Sequence, residues 1–260
     1  MLFKGTLEGK FVYITGGTGG IGTPFVRMLK EAGATVTAHD SKMEGDLVAG
    51  LNKICAQLQA NTPDILINMA GYNVFNYCEE QNLKAIIDLN LMVPIRLSQA
   101  VLINMKRRNA GHIVNIGSMT ALIPLPHLTG YVTAKAGLKG FSDSLRRELS
   151  GTHITVTHIV PRAVRTKMNT GTRAEINERT GVRYDEPEEV AKKIFKAIIQ
   201  QQREVRLGWP ERFFAFLNAT FPCLIDCGLQ KNRKIGEEIL EADKARTKEK
   251  IQKEDSLKEY

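Results

Sequence analysis

The sequence predicts an α/β fold, a doubly wound parallel sheet in one domain, with an atypical helical extension at its C-terminal end. Short apolar runs rich in Ile and Val alternate with longer amphipathic stretches, the pattern of a parallel sheet covered by helices on both faces. A glycine-rich turn joins the first run to the first amphipathic stretch. After Gly208 the character changes, to an aromatic cluster and then a charged tail. The chain of 260 residues, 43% apolar and 25% charged, is long enough for one large domain with a substantial core.

In chain order, the runs Phe11–Thr15, Thr35–His39, Ile65–Asn68, His112–Ile116, Thr155–Ile159 and a short Glu204–Leu207 read as strands. The helical stretches are Ile21–Ala32, Asp46–Gln59, Leu83–Arg108, Tyr131–Leu149 and Pro187–Gln201. Pro94 lies inside the third of these, where it must kink the helix or leave a carbonyl without a donor. These elements, residues 1–208, form the main α/β unit; residues 209–260 form the extension. Within the extension, Gln230 to Tyr260 reads as an exposed helix anchored by Ile235, Ile239 and Leu240.

The formal net charge is +8, but basic and acidic residues are mixed along the chain, and no basic helix with interleaved aromatics stands out. Nucleic acid is therefore not an expected partner. The N-terminus does not read as a signal peptide, and no stretch reads as long and apolar enough to span a membrane. The cysteines Cys55, Cys78, Cys223 and Cys227 lack metal-ligand spacing, so no metal is expected. They are expected as buried free thiols, in keeping with a reducing cytoplasmic setting.

Thr15-Gly16-Gly17-Thr18-Gly19-Gly20-Ile21-Gly22 opens the first helix directly after the first strand. Glycines there permit a tight turn and close approach of a pyrophosphate, and the helix N-terminus offers free N–H groups to the anion. This makes the fold Rossmann-type and nucleotide-binding. Two spacings compete: Gly17, Gly19 and Gly22 fit the literal G-x-G-x-x-G pattern, whereas Gly16, Gly20 and Gly22 follow the Thr more naturally. Asp40 ends the second strand, where a carboxylate accepts from the ribose hydroxyls of NAD and repels the 2′-phosphate of NADP. Lys42 keeps NADP in play, and a lone Asp at a strand end is also a common turn former.

Tyr131 and Lys135 stand four apart on one helix face, with Ser118 upstream at the end of an apolar strand. A neighbouring cation favours the phenolate, which suits Tyr131 to proton exchange with a carbonyl or carbinol oxygen. On its own this spacing occurs by chance on many amphipathic helices.

Taken together, these residues resemble the short-chain dehydrogenase/reductase family, over about residues 8 to 208. The T-G-x-x-x-G-x-G turn stands as Thr15 to Gly22, and the N-N-A-G strand end is similar to Asn68-Met69-Ala70-Gly71. The helical Asn matches Asn90, the catalytic Ser matches Ser118, and Y-x-x-x-K matches Tyr131 and Lys135. The P-G-x-V-x-T segment stands as Pro161-Arg162-Ala163-Val164-Arg165-Thr166, with Arg162 in place of a Gly.

The resemblance implies a catalytic set of Asn90, Ser118, Tyr131 and Lys135. Tyr131 would be the general acid or base, and Lys135 would lower its pKa and bind the nicotinamide ribose. Ser118 would donate to the substrate oxygen, and Asn90 would hold a proton-relay water. It implies cofactor contacts from Gly16, Thr18, Gly20, Ile21, Gly22, Asp40, Asp46, Asn68, Ala70, Gly71, Tyr131, Lys135, Pro161, Val164 and Thr166. Asp46 would meet the adenine amino group and Thr166 the nicotinamide carboxamide. The family's dimer-forming helices match Leu83–Arg108 and Tyr131–Leu149, implying a homodimer or homotetramer.

Thr166 to Tyr184 corresponds to a polar lid over the substrate. Its neighbourhood gathers Arg162, Arg165, Lys167 and Arg173, readable either as an attractor for a phosphate or carboxylate or as a solvated surface. The aromatic segment after Gly208 has three readings: extra core over the lid and oligomer face, a hydrophobic substrate entrance, or a peripheral membrane contact through residues 209–229. His127 and His153 read as structural. The expected activity is reversible hydride transfer between NAD, or NADP, and a partly apolar secondary alcohol or ketone. A catalytically idle NAD-binding protein that docks a partner or membrane through its extension is the rival.

Overall fold

The computed structural model describes residues 5–39 and 45–258. Six strands, β1 (Phe11–Thr15), β2 (Thr35–His39), β3 (Ile65–Asn68), β4 (Gly111–Ile116), β5 (Ile154–Val160) and β6 (Glu204–Arg206), form one parallel sheet in the order β2-β1-β3-β4-β5-β6. The register is continuous: Val12 opposite Ile65, Ile67 opposite Val114, and Asn115 opposite His158. The predicted strands fall within one residue of those observed, because the four inner ones are short Ile/Val-rich runs bounded by turn residues.

Successive strand residues serve opposite faces. Ile14, Ile67, Val114 and Ile159 meet α1 (Gly22–Glu31) and α7 (Pro187–Ile199), whose Phe25, Leu29, Ile194 and Phe195 are fully buried. Tyr13, Leu66, Ile113 and Val156 meet α2 (Leu51–Ala60), α4 (Val93–Arg108) and α5 (Thr129–Glu148) through Leu58, Leu97, Val101, Met105 and Leu145. Each such side chain contributes about 2 kcal/mol on leaving water. The Asp46–Gln59 prediction is shortened at its start, where residues 47–50 form turns before α2.

Leu83–Arg108 is one helical rod with an internal defect: α3 (Leu83–Ile87), a π-helical turn at Asp88–Met92, then α4. Val93 N donates five residues back to Asp88, and Pro94 has no N–H to give, so the irregularity lies where the proline predicts it. Contrary to the sequence expectation, this rod is long and apolar enough to cross a membrane by length and composition, at a mean hydropathy of 1.5 over its best window. In the fold part of that apolar surface packs on the sheet, α2 and α5, while Leu83, Met92 and Ile103 stay exposed.

A chain of buried polar side chains runs across the sheet. Asn68 Nδ2 donates to Asn115 Oδ1 at 2.8 Å, Asn115 Nδ2 to Ser142 Oγ at 2.9 Å, and His158 Nδ1 lies 3.2 Å from the same hydroxyl. Burial pulls His158 down to about 4, so it is neutral at physiological pH.

The extension forms α8 (Trp209–Thr220) and α9 (Pro222–Lys258), and it docks on the lid helix α6 (Thr172–Arg179). The predicted anchors behave as expected: Ile235 and Ile239 pack with Ile176 and Phe75, and Leu240 is buried. Arg179 pairs with Glu238 across the same contact, and Lys244 with Glu80 at 2.6 Å. The aromatic segment does not supply core. Only Ala215 of α8 is buried, against Met119 and Val160, while Trp209 is 79% exposed and Phe216 61%. Helical spacing turns its aromatics outward, which the sequence does not reveal because both faces of α8 are apolar.

All four cysteines are free, but only Cys55 is buried. Cys78, Cys223 and Cys227 are exposed, because a short 3-10 turn and the outer face of α9 carry them; the expectation of buried thiols holds for Cys55 alone.

Candidate active site

A cleft of about 2140 Å³ opens over the C-terminal ends of β1, β3, β4 and β5, where an open parallel sheet presents its loops. At one end lies the glycine turn. Gly16 takes φ +73°, and a Cβ there would come within 2.7 Å of Ala70 N. A Cβ on Gly20 would strike Thr166 Cγ2 at 2.5 Å, and one on Gly22 would lie 2.1 Å from Gly16 O. Gly19 is only moderately tight, at 3.2 Å from the same oxygen, and Gly17 is crowded by the Ala38 Cβ at 2.7 Å; the positive φ and backbone contact at Gly16 favour the spacing Gly16, Gly20 and Gly22. Thr15 Oγ1 accepts from Met69 N and Ala70 N, tying the turn to the end of β3.

Of the cofactor contacts predicted, Gly16, Thr18, Gly20, Ile21, Gly22, Ala70, Gly71, Tyr131, Lys135, Pro161, Val164 and Thr166 all line this cleft. Asn68 stands one layer behind the wall, its side chain committed to the buried chain through Asn115. Asp46 is outside the lining, and its carboxylate accepts from Val48 N and Ala49 N, capping the turns before α2. Asp40 and Lys42 lie outside the described residues.

At the other end, Ser118, Tyr131 and Lys135 meet. Ser118 follows β4 in extended backbone, and its Oγ accepts from Thr120 N at 3.2 Å and Thr120 Oγ1 at 2.9 Å. That leaves the Ser118 proton to donate, and the hydroxyl is near enough to the Tyr131 phenol to favour its ionised form. Thr120 was missed by sequence reasoning; only its place two residues after the serine hinted at it. Tyr131 and Lys135 are both buried in the first turns of α5.

The electrostatics differ from the expectation. Burial pushes the Tyr131 phenol up, and the opposing influences are the Ser118 hydrogen bond and the Arg173 guanidinium. Lys135 lies beside the same ring. Its Nζ stands 5.7 Å from the Tyr131 ring centroid, donates to Ile116 O at 2.9 Å, and is itself pulled down to about 8 by burial. Asn90 is fully buried in the π turn, with Nδ2 donating to Tyr72 O and Ile86 O, both at 2.9 Å. Its Oδ1 is buried with no hydrogen-bond partner. A Cβ on Gly71 would lie 2.5 Å from that oxygen and 3.6 Å from Lys135 Nζ, so carbonyl, ammonium and cleft wall face one another.

The lid reads as a short 3-10 turn and α6. Its basic cluster divides. Arg162, the replacement for a glycine, points to the mouth and bridges Asp185 at 2.7 Å and Glu211 at 3.2 Å, joining the lid base to α8. Arg165 pairs with Glu186 at 2.9 Å. Arg173 and Lys167 face the cleft. Trp209 and Pro210 also line it, at the rim.

The chain matches known proteins over most of this architecture. Residues 43–177 match the family model described as short chain dehydrogenase. A 3-oxoacyl-(acyl-carrier-protein) reductase of Vibrio harveyi is 33% identical over 186 residues, covering 62% of this chain and 76% of the relative. The dehydrogenase/reductase SDR family member 7B of Danio rerio is 27% identical over 258 residues, covering 84% of each chain. A solved short-chain dehydrogenase from Sphingobium yanoikuyae, in complex with NADPH, superposes with a TM-score of 0.68 at 26% identity, over 84% of this chain and 95% of that one.

Proposed function

The chain belongs to the short-chain dehydrogenase/reductase family of NAD(P)-dependent oxidoreductases, and we propose that it interconverts a partly apolar secondary alcohol and its ketone. The observation that carries this reading is the meeting of Ser118, Tyr131 and Lys135 in the wall of a cleft that begins at a glycine turn.

The cradle fits a dinucleotide. Gly16, Gly20 and Gly22 leave no room for side chains between turn, β3 and Thr166, so backbone N–H groups at the start of α1 are open to a pyrophosphate. When bound, the nicotinamide supplies or takes the hydride. Lys135, Tyr131 and Thr166 would hold its ribose and carboxamide end, and Asp40 its adenosine ribose. Asp46, with its carboxylate already capping a turn, is the weakest of the proposed contacts. In reduction Tyr131 gives its phenolic proton to the carbonyl oxygen, while Ser118, held by Thr120, donates to the same oxygen as charge builds on it. Lys135 and the unpartnered Asn90 Oδ1 would hold a water that returns a proton toward Tyr131. Met119, Ile123 and Leu125 give the substrate end an apolar lining.

The test is a titration with NADH and NADPH, read by fluorescence. Either should bind in the micromolar range, and Asp40 should favour NADH by at least tenfold. Tighter NADPH binding overturns the Asp40 assignment, and binding of neither overturns the oxidoreductase reading. An idle dinucleotide-binding protein has no need of a serine aligned on Tyr131. For assembly, Leu83, Met92 and Ile103 stay exposed along α3 to α4, which supports pairing of that rod and α5 with a second copy as a homodimer or homotetramer.

A peripheral membrane contact is the reading that the exposed face of α8 supports. Trp209, Phe213, Phe214, Phe216, Phe221 and Leu224 are exposed together, and Arg212 lies over the Trp209 ring at 5.5 Å. Vesicles containing anionic lipid should carry the protein upward on flotation, and replacing Phe213, Phe214 and Phe216 with Ser should leave it at the bottom. Equal behaviour of the two proteins ends this reading.

A further inference from the structure

Arg173 is a cation set into the cleft wall without a counter-charge. It projects from the first turn of α6, its guanidinium lies 5.9 Å from the Phe75 ring centroid, and its Nε is buried with no hydrogen-bond acceptor. The carboxylates lining the cleft are Asp185, Glu186, Glu188, Glu189 and Glu211. Each already has a cation: Asp185 and Glu211 share Arg162, Glu186 has Arg165, Glu188 has Arg27, and Glu189 has Lys192. None of the carboxylates that line the cleft is left to neutralise Arg173. A guanidinium withdrawn from water with an unfilled donor costs stability unless something in the working state answers it.

Its surroundings say where that answer comes from. The groups that feel its charge are the Tyr131 and Tyr184 phenols, neither of them part of the glycine turn. Arg173 therefore stands at the reacting end of the cleft. The helix that carries it is pinned from behind by Ile235, Ile239 and the Arg179–Glu238 pair, so the guanidinium is presented from a fixed element. A planar fork of N–H donors suits a carboxylate, which it can hold by two parallel hydrogen bonds.

We propose that the substrate is an oxo or hydroxy acid whose carboxylate, close to the reacting carbon, is held by Arg173. This rests on the oxidoreductase reading and narrows it. Anchoring one end of a small substrate there fixes which face of the carbonyl turns to Tyr131 and Ser118. Removing the cation leaves Tyr131 without the charge that partly offsets its burial.

The experiment is calorimetric titration with 3-hydroxybutanoate and lactate against their amides, with and without saturating NADH. The wild-type protein should bind the acids at least tenfold more tightly than the amides. Arg173→Met should bring acid and amide within twofold, Arg173→Lys should keep part of the preference, and both should hold NADH within twofold of wild type. The Arg173→Met protein should melt no lower than wild type, since it loses an unpaired half-buried charge, and this establishes that it folds. Acid and amide binding equally to the wild type, or a preference that survives Arg173→Met, overturns the proposal. So does a tenfold loss of NADH affinity in Arg173→Met, which would place the guanidinium on the dinucleotide phosphates. Failure of the wild type to bind NADH or NADPH sinks the oxidoreductase reading instead, and the acid preference is then read from the titrations without cofactor.

Discussion

Tyr131→Phe should lower turnover about 10³-fold, close to 4 kcal/mol of barrier, while leaving dinucleotide affinity within twofold of wild type. The substitution removes one oxygen. The ring keeps its buried place at the start of α5, so packing against the cleft wall is preserved. What goes is the proton that Tyr131 exchanges with substrate in the proposed mechanism. The pH dependence has a sign that follows from burial. The phenol is pushed up from its ordinary value, so reduction, which uses the neutral form, should hold its rate to high pH and fall only as the phenol ionises. Oxidation, which uses the phenolate, should rise with pH over the same range. Arg173 opposes burial at this phenol, so Arg173→Met should move both limbs to higher pH. Steady-state rates of Tyr131→Phe in both directions check the assignment; undiminished turnover would remove Tyr131 from the proton path.

Much of the fold was legible because its signals are local. A parallel strand buried on both faces is a short Ile/Val-rich run, and the four inner strands β1, β3, β4 and β5 are such runs, whereas the edge strands β2 and β6 are short and partly exposed. The glycine turn was legible as chemistry, but choosing between its two spacings needed the third dimension. Gly20 matters because Thr166, remote in sequence, packs where its side chain would be. The π turn at Asp88–Met92 was half legible, since Pro94 marked a break without giving its form.

What escaped sequence reasoning depends on which distant group reaches which. Arg162, Arg165, Lys167 and Arg173 looked like one basic cluster, yet carboxylates from the lid base and α8 neutralise the first two. The expectation that Lys135 would set the Tyr131 proton affinity assumed that four residues on a helix bring charge to charge. Lys135 also turns to Ile116 O, and a second cation, Arg173 of the lid, acts on the phenol. Exposure of Cys78, Cys223 and Cys227 was likewise invisible, because residue type alone says nothing of which helix face is covered.

Gly22→Ala should cost about 3 kcal/mol of stability and weaken dinucleotide binding at least 100-fold, the larger effect for its size of any methyl added to this chain. The added carbon would lie 2.1 Å from Gly16 O and 2.8 Å from Gly17 C and Cα. These are backbone atoms on both counts, with no flexible side chain to swing aside. Either α1 lifts from the turn or the turn opens. The first separates Phe25 and Leu29 from the sheet, and the second moves the N–H groups offered to the pyrophosphate. Gly228→Ala is the control, since a Cβ there meets nothing within 4 Å inside α9, and the loss of a helical glycine should stabilise by about 0.5–1 kcal/mol. Thermal unfolding and NADH titration of the two variants separate a steric effect of the turn from the general cost of altering a glycine. Should Gly22→Ala bind NADH as the wild type does, the turn is not the pyrophosphate cradle, and the reading of the cleft as a dinucleotide site loses its footing.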